Sequence, residues 1–355
     1  MVSLVSQLLL WHTTHEHRVM PWKATKDPYK IWLSEIILQQ TRVAQGLKYY
    51  EKFVAAYPNI TALANATDQA VYKLWEGLGY YNRCKNMLHT ARYIAAQGGV
   101  FPTTYMGILA LKGIGPYTAA AIASFAYNLP HAVVDGNVYR VLSRYYGIHT
   151  PIDSKEGVAA FTALAHKLLP KPLAGKYNQA IMDFGATVCK PKLPMCSVCP
   201  VMRSCVGYST QSVLVLPVKI HKTSTLKLYY CYIVLQHEQE LLVHLRTAND
   251  IWQGLYEFVL VPLSSNMVIT NKNIYPLLPS PVCKADITQL HISNIYTQKL
   301  THRLVQAQFV HITTKHKYTI PNSQWVGIPT LPTIPLPVII REYILSEKKH
   351  FNINK

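Results

Sequence analysis

Two acidic residues, Glu35 and Asp135, stand in surroundings that favour acid–base chemistry. Glu35 lies in an otherwise apolar segment between Leu33 and Leu38, and burial among such neighbours raises the pKa of a carboxyl group, which suits a general acid. One protonated and one ionised carboxyl group form the pair that cleaves a glycosidic bond through an oxocarbenium-like state. Two plainer interpretations stay open, namely that Glu35 is exposed on a polar helix face and that Asp135, before Gly136, is only a helix N-cap.

Four of the seven cysteines lie close together near the middle of the chain. Four thiolates can bind either a [4Fe–4S] cluster or a structural zinc ion. Zinc sites commonly use two closely spaced pairs, whereas a single pair here has two intervening residues, so the spacing favours the cluster. If the two carboxyl groups carry out glycosidic hydrolysis, which transfers no electrons, the cluster is expected to be structural. The four candidate ligands are Cys189, Cys196, Cys199 and Cys205.

The stretch 111–122 places Gly113 and Gly115 between an apolar run and a helix-like segment rich in small residues. Both glycines can adopt a positive φ and permit the close approach of another backbone. The following helix offers unpaired N–H groups and the positive end of its dipole to an anion. This helix–hairpin–helix pattern predicts a clamp for a phosphate backbone that reads no bases. Taken alone, it is more often a plain corner between two helices.

The chain is strongly basic, with 35 Lys and Arg against 17 Asp and Glu among 355 residues, a net charge of +18. Such an excess predicts a polyanionic partner, nucleic acid before a membrane surface. No apolar run reaches the roughly 18 residues of a membrane span, and no signal-peptide cleavage site is evident. An odd number of clustered cysteines argues against a secreted disulfide framework. We expect a soluble intracellular protein.

The hydrophobic pattern predicts a multidomain protein. Residues 1–206 show helix-like spacing broken by Pro and Gly, and residues 226–349 show short β-rich runs followed by a helix. The Ser-, Thr- and Lys-rich stretch 207–225 is the predicted linker. We expect an all-α domain and then an α+β domain, with a loop over 262–290. The predicted helices are 29–56, 68–97, 103–111, 116–126, 137–146, 155–169, 176–189 and 337–348, and the predicted strands are 228–235, 241–246, 254–261, 302–312 and 324–326.

The hairpin at 111–122, the Asp135 segment and the cysteine spacing resemble the endonuclease III superfamily of helix–hairpin–helix DNA glycosylases, most closely its adenine glycosylase family. The segments 20–22, 32–43 and 75–83 are also similar to that family. The resemblance is dense over about residues 8–207 and looser beyond. Residues 249–258 resemble part of a Nudix-like domain, without the Glu-rich helix that a catalytic Nudix domain needs.

The resemblance implies a monofunctional glycosylase that removes adenine paired with 8-oxoguanine or guanine in duplex DNA, during base excision repair. Glu35 would protonate the departing adenine, Asp135 would stabilise the sugar cation, and Asn137 would orient the acid and the water. Tyr117 occupies the position where bifunctional relatives carry a lysine, and a tyrosine cannot form a Schiff base. The resemblance also assigns the cysteine loop, 189–205, to a [4Fe–4S] cluster.

Further residues acquire roles in DNA contact from the same resemblance. The target base must leave the stack, and Gln40 and Tyr80 match residues that fill the gap in the duplex. Thr301 and His302 match the loop that reads 8-oxoguanine in the lesion-recognition domain. The residues that match the adenine pocket are Arg18, Trp22, Leu38 and Gln179.

The enzyme is expected to be a monomer that works on the nucleoid in a bacterial cytoplasm, without contact to a membrane. Two alternatives remain at the level of the sequence. One is an endonuclease III-like glycosylase for pyrimidines or thymine mismatches, and the other is a DNA-binding iron–sulfur protein with an inactive site.

Overall fold

The chain folds into two compact units, seen in a computed structural model that describes residues 3–15, 20–220, 225–248 and 250–351. The first unit comprises Met1–Asn65 and Asn86–Lys222, and the second comprises Ala66–Lys85 and Thr223–Lys355. The first is helical and the second is built on a mixed sheet, so the predicted combination of an all-α and an α+β part is confirmed. The predicted boundaries did not anticipate that residues 66–85 group with the sheet.

The described residues form thirteen α-helices. Most begin at a Ser, Thr, Asp or Asn whose side chain accepts a hydrogen bond from the first turn, the arrangement that satisfies otherwise unpaired N–H groups. The helices are α1 (Leu4–Thr14), α2 (Pro28–Leu38), α3 (Val43–Ala56), α4 (Ile60–Ala64), α5 (Asp68–Trp75), α6 (Tyr81–Ala96), α7 (Tyr105–Leu109), α8 (Pro116–Tyr127), α9 (Gly136–Tyr146), α10 (Lys155–Leu168), α11 (Ala174–Thr187), α12 (Val206–Ser209) and α13 (Val338–Ser346).

Two long predicted helices are each broken into two. The helix expected over 29–56 divides between α2 and α3, where Gln40 adopts a φ of 55°. The helix expected over 68–97 divides between α5 and α6, where Tyr80 adopts a φ of 51°. Positive φ is uncommon for residues other than glycine and is found most often where function requires it. Both breaks carry a residue that the sequence assigned to insertion into the duplex.

One hydrophobic core of the helical unit is formed by α1, α9, α10 and α11. Leu8, Phe161 and Phe184 are fully buried there, and Trp11 packs edge-on against Phe184 with ring centroids 5.3 Å apart. Helix α1 was not predicted, because its short apolar run resembles the start of many chains. It nevertheless carries three of the buried core side chains, including Leu4.

The second unit contains a seven-stranded sheet. Strand β1 runs parallel to β6, and the other recorded pairings are antiparallel. The main order is β3-β2-β1-β6-β5, with β4 paired to β1 and β7 paired to β2. The strands are β1 (Leu226–His237), β2 (Glu240–Leu245), β3 (Tyr256–Glu257), β4 (Val259–Leu263), β5 (Ile287–Lys299), β6 (Arg303–Thr314) and β7 (Ser323–Gly327).

Strand β5 corrects the sequence prediction, which assigned a loop as far as residue 290 and no strand between there and residue 302. β5 lies at the end of the main strand order, and many of its side chains are exposed or half-buried. Its apolar alternation is further interrupted by a register shift between Ile292 and Ile295. An edge strand with a bulge has a weak hydrophobic pattern, because tertiary pairing rather than burial defines it.

Residues 66–85 belong to the second unit through specific contacts. Glu76, buried, accepts hydrogen bonds from the main-chain N–H of Leu336 and from Arg341, each at 3.2 Å. A Cβ added at Gly254 would lie 2.8 Å from the ring of Tyr72, so glycine is required for this close approach. In the described part of the chain, no helix has the length and apolar character needed to cross a membrane.

Candidate active site

A cavity of about 750 Å³ opens in the helical unit. Its volume is in the range of pockets that take a ligand the size of a nucleoside. Seven of the residues selected from the sequence line this one cavity, although they come from five separate parts of the chain. They are Trp22, Glu35, Leu38, Tyr117, Asp135, Asn137 and Gln179.

Three helices deliver the acidic groups and the tyrosine. Glu35 is in the second half of α2, Tyr117 is the second residue of α8, and Asp135 is the N-cap of α9. Helix α8 contains four buried alanines, Ala119, Ala120, Ala121 and Ala123, and small side chains allow neighbouring helices to approach closely. The N-cap role that was one of the two interpretations of Asp135 is confirmed.

Burial governs the ionisation of Glu35. The residue is 8% exposed, and desolvation raises the pKa of its carboxyl group to about 7. A hydrogen bond from Tyr117 acts in the opposite direction, and the charge of Asp135 raises the pKa further. Burial also raises the pKa of Tyr117 well above its ordinary value, so the phenol keeps its proton and remains a donor. The alternative of an exposed Glu35 is excluded.

Asp135 is half-buried and is surrounded by donors. Burial raises the pKa of its carboxyl group, and hydrogen bonds from Val138 and Asn137 and the charge of Arg140 lower it in part. Oδ1 accepts from the main-chain N–H groups of Asn137 and Val138 at 2.9 and 2.8 Å, and Oδ2 accepts from Nδ2 of Asn137 at 2.7 Å. Three donors favour the carboxylate form. The cavity therefore joins a carboxyl group that holds its proton near neutrality to one prepared for negative charge.

Arg140 connects this carboxylate to the cysteine loop, a role that the sequence did not indicate. Its guanidinium donates to Oδ1 of Asn137 at 2.8 Å and to the carbonyls of Gly185 and Cys189, both at 2.7 Å. A buried arginine satisfied by fixed acceptors holds all of them in one geometry. The available signal was its place one turn after Asn137 on α9, which has a strongly amphipathic sequence.

A second charged group lines the cavity around Asp183, which was also missed. Lys23 Nζ lies 2.7 Å from both carboxylate oxygens, and Nε2 of His12 lies 3.4 Å from Oδ2. Burial alone would raise the pKa of Asp183, but hydrogen bonds from His12, Lys23 and Gln179 outweigh it, and the pKa is lowered. Trp22 packs edge-on against Tyr50, with centroids 5.1 Å apart. The tryptophan, the lysine and the aspartate therefore form a fixed wall.

The glycine hairpin lies outside this cavity. Gly113 has a φ of 80°, and a Cβ there would come within 2.7 Å of Cβ of Asn86. Gly115 does not use the positive φ that glycine permits, because it is the N-cap of α8 with an extended φ of −93° and has open space where a Cβ would point. The N-cap position requires extended backbone, which any residue can adopt, so the conformation does not require glycine at position 115. Glycine would be required there only if another molecule approached this backbone closely.

The remaining selected residues are distributed over the two units. Gln40 lies at the α2–α3 break of the helical unit, whereas Tyr80, Thr301 and His302 belong to the second unit. Thr301 and His302 are exposed in the turn between β5 and β6, closed by a hydrogen bond from the N–H of Leu300 to the carbonyl of Arg303. The last selected residue, Arg18, lies outside the described residues.

The four cysteines of the loop face a common small cavity of about 30 Å³. All are free thiols, and burial raises the pKa of the Cys199 thiol to about 11. Within the described chain, no three of these sulfur atoms lie within 4.8 Å of one another. A zinc ion bound at 2.3 Å would bring its ligand sulfurs to about 3.8 Å, so the thiols do not form a compact zinc site. All four nevertheless line the same cavity.

Arg144 fastens the first part of that loop to α9. It is 2% exposed, and its Nη1 donates to the carbonyl of Lys190 at 2.7 Å and to Sγ of Cys189 at 3.4 Å. Its Nε donates to the carbonyl of Leu216 at 3.1 Å. These contacts hold the start of the cysteine loop against α9.

Several known proteins are similar to this chain. A family described as HhH-GPD superfamily base excision DNA repair protein matches residues 33–165. The adenine DNA glycosylase of Buchnera aphidicola subsp. Baizongia pistaciae is 32% identical over 336 residues, 91% of this chain and 93% of that protein. The adenine DNA glycosylase of Mus musculus is 39% identical over 213 residues, 57% of this chain and 41% of that protein. A solved thermostable thymine-DNA glycosylase is 32% identical, covers 58% of this chain and 95% of its own, and superposes with a TM-score of 0.54.

The helical unit, with its hairpin and paired carboxyl groups, defines a base excision DNA glycosylase. The similarity to the Buchnera protein extends through both units. The chain accordingly belongs to the adenine DNA glycosylase family, and the predicted enzyme class is confirmed.

Proposed function

We propose that this enzyme hydrolyses the N-glycosidic bond of adenine paired with 8-oxoguanine or guanine in duplex DNA. The observation that supports the chemistry is the pair of carboxyl groups in one cavity, with Glu35 holding its proton to a pKa of about 7 beside the hydrogen-bonded Asp135. Adenine is a poor leaving group as an anion, and a proton delivered to its imidazole nitrogen allows it to leave as a neutral base.

Each group in the cavity has a defined task in this mechanism. The adenine enters the cavity after it has left the base stack. Glu35 donates its proton to the departing base, and Tyr117 holds the resulting carboxylate by its hydrogen bond. Asp135 faces the sugar and stabilises its positive charge, held in place by Asn137. Water then adds to the sugar, leaving an abasic site.

The reaction is proposed to stop at the abasic site. A lyase step needs an amine nucleophile at the sugar, and Tyr117 has none. Two of the lysines that line the cavity have other contacts, because Lys23 is paired with Asp183 and Lys26 donates to the carbonyl of Phe125 at 2.8 Å. Reduction with borohydride during turnover should therefore trap no protein–DNA adduct.

The cysteine loop is proposed to hold a [4Fe–4S] cluster through Cys189, Cys196, Cys199 and Cys205. When bound, the cluster supplies structural cross-linking, since the hydrolysis moves no electrons. Arg144 and Arg140 tie this loop to α9, the helix that Asp135 caps. Folding of the loop would thereby support the position of the carboxylate.

Recognition of the mispair is assigned to groups in both units. Gln40 and Tyr80, which have positive φ, are proposed to enter the duplex from which adenine departs. The base would be surrounded by Arg18, Trp22, Leu38 and Gln179. The hairpin that contains Gly113 and Gly115 would bind a phosphate of the DNA backbone. Thr301 and His302 would read 8-oxoguanine on the opposite strand. We place the enzyme in the bacterial cytoplasm, acting as a monomer on the nucleoid.

The test is single-turnover base release from matched duplexes that contain A:8-oxoguanine, A:G or T:G. We expect adenine release from the first two and none from T:G. The variant Glu35→Gln should bind the same duplexes and release no base. Release of thymine alone would instead support the second candidate, a thymine-mismatch glycosylase, which the similarity to the solved thymine-DNA glycosylase keeps in view.

The double variant Thr301→Ala with His302→Ala tests the assignment of lesion reading. Both side chains are exposed in a turn, so the fold should be retained. We expect the preference for A:8-oxoguanine over A:G to fall toward unity while the rate on A:G is kept. An unchanged preference would remove this turn from the proposal without affecting the chemistry.

A further inference from the structure

A histidine and glutamate cluster lies in the second unit, far along the sequence from the glycosylase motifs. It consists of His291 on β5, Glu347 directly after α13, and His350 in the final 3-10 turn, Lys348–Phe351. One ligand atom from each of the three lies within 4.8 Å of the other two. Among the described residues, this is the one group of three or more His, Cys, Asp and Glu side chains with that geometry.

The separations within the cluster fit a bound ion better than direct bonding. Nε2 of His291 and Nε2 of His350 lie 3.7 and 3.6 Å from the same carboxylate oxygen of Glu347. These distances are long for a hydrogen bond. Ligands about 2.1 Å from a tetrahedral zinc ion are about 3.4 Å from one another, so each nitrogen is within a few tenths of an ångström of that separation from the carboxylate oxygen.

The first ligand atom has no other use in the fold. Nε2 of His291 is buried and makes no hydrogen bond, although the rest of the ring is partly exposed. A buried polar atom without a partner is costly and calls for an explanation. The ring of His291 stacks on that of His350, with centroids 4.0 Å apart and an angle of 21° between the planes. An imidazole binds a metal in its own plane, so one ring must turn about its Cβ–Cγ bond for both nitrogens to reach one ion.

The backbone fixes the other two ligands. Glu347 and His350 are three positions apart in the chain. They are joined by a hydrogen bond of 2.9 Å from the N–H of His350 to the carbonyl of Glu347. Residues three apart in a 3-10 turn lie on the same face. Phe351 is fully buried against His311, with ring centroids 4.9 Å apart, so the turn is anchored immediately beside the cluster.

We propose that His291, Glu347 and His350 form a zinc-type site that fastens the end of the chain to strand β5. Two imidazoles and one carboxylate suit Zn²⁺ and similar transition ions, and they do not suit Mg²⁺ or Ca²⁺, which take oxygen ligands. Water completes the coordination. The ion joins the turn after α13 to a strand that has a partner on one side in the main strand order, and its role is structural.

The test is zinc binding to the tag-free, full-length protein with its cysteine loop loaded, measured by equilibrium dialysis and by thermal unfolding. We expect one Zn²⁺ equivalent that is absent, or bound at least about tenfold more weakly, in His291→Ala and His350→Ala. The rise in midpoint temperature that zinc produces should vanish in the same variants. The matched control is His316→Ala, an exposed histidine 3.9 Å from Asp286 in the same unit.

The variants separate this site from the cysteines and from a failure to fold. Loss of the zinc equivalent in the histidine variants with unchanged iron content supports the site on β5. If His291→Ala does not fold, Glu347→Gln and His350→Ala decide the question, because both side chains are partly exposed. Equal zinc binding by the wild type and all three variants, or no zinc binding by the wild type, overturns the proposal. Adenine release by His350→Ala should equal that of the wild type.

Discussion

Asn137 supports Asp135 with two separate donors. Its main-chain N–H donates to Oδ1 at 2.9 Å, and its side-chain Nδ2 donates to Oδ2 at 2.7 Å. The first bond is that of an ordinary helix cap, whereas the second belongs to the side chain and can be removed by mutation. A mutation of the Asn137 side chain can therefore remove one hydrogen bond to the Asp135 carboxylate while the main-chain cap bond of α9 is kept.

The variant Asn137→Ala should lower the single-turnover rate by about 10- to 100-fold, because a charge-assisted hydrogen bond contributes about 1.5–3 kcal/mol. Loss of a donor to the carboxylate also raises the pKa of Asp135, so the acidic limb of the pH–rate profile should move to higher pH. The control is Ser154→Ala, which removes a cap bond of 2.9 Å in α10 and should leave the rate intact. An unchanged profile in Asn137→Ala would show that Asp135 does not depend on this donor.

The pH dependence of adenine release should report Glu35. Because the acid must be protonated and its pKa is about 7, the rate should be level between the acidic limb set by Asp135 and pH 7, and should fall about tenfold per unit above pH 7. The variant Tyr117→Phe removes the hydrogen bond that lowers this pKa. Its basic limb should therefore shift to higher pH, and a shift in the opposite direction would contradict the arrangement.

The raised pKa of Glu35 also has a stability consequence. An unfolded glutamate ionises near pH 4.5, whereas the folded one stays protonated to about 7, so the folded state loses stability as the pH rises through this window. The total is about 3 kcal/mol. Glu35→Gln should be inactive yet unfold at a higher temperature than the wild type at pH 8, with the difference vanishing at pH 4. Equal midpoints at pH 8 would show that the buried carboxyl group carries no such penalty.

The two hairpin glycines should respond differently to alanine. Gly113→Ala combines a φ of 80° with a contact of 2.7 Å to Asn86, and we expect a loss of about 1–3 kcal/mol in the free energy of unfolding. Gly115→Ala meets open space at an extended φ, so its unfolding should match the wild type. If a phosphate backbone approaches Gly115, that variant alone weakens duplex binding without a change in stability. Thermal unfolding and binding to an undamaged duplex measure the two effects.

Arg144→Ala should destabilise the cysteine loop. The buried guanidinium bonds to Lys190, Leu216 and the sulfur of Cys189, and its removal leaves several carbonyls without their donor. We expect a loss of about 3 kcal/mol or more in stability and fewer iron atoms per protein after purification. Arg203→Ala, on the exposed part of the same loop, is the matched control and should retain its iron. Full iron content in Arg144→Ala would show that the cysteine loop does not need this arginine.

The sequence predicted the parts of the molecule in which residue type alone decides the structure. The apolar surroundings of Glu35 and the Asp–Gly–Asn start of α9 each contain their own physical reason. The sequence did not predict the roles of Arg140 and Arg144, because a buried arginine is recognised by the acceptors around it and not by its neighbours in the chain. Strand β5 was missed for a related reason, since an edge strand depends on its partner β6.

The positive φ at Gln40 and Tyr80 was also not predictable, because neither position holds the glycine or asparagine that usually signals left-handed backbone. The reverse holds at Gly115, where glycine would permit a positive φ but the structure uses an extended N-cap. Propensity describes what a residue tolerates, whereas the surrounding fold determines what it adopts.

The grouping of residues 66–85 with the sheet has a consequence for dissecting the enzyme. A fragment that ends near residue 222 would retain the whole cavity, including Glu35 and Asp135. It would also retain α5 and the buried Glu76 while losing Leu336 and Arg341, which bind that carboxylate. Proteolytic removal of the C-terminal part should therefore yield a core with a newly uncovered segment between α4 and α6, prone to further cleavage there. The residues that line the cavity all belong to the first unit, whereas the segment 66–85 that the fragment retains depends on residues of the part removed.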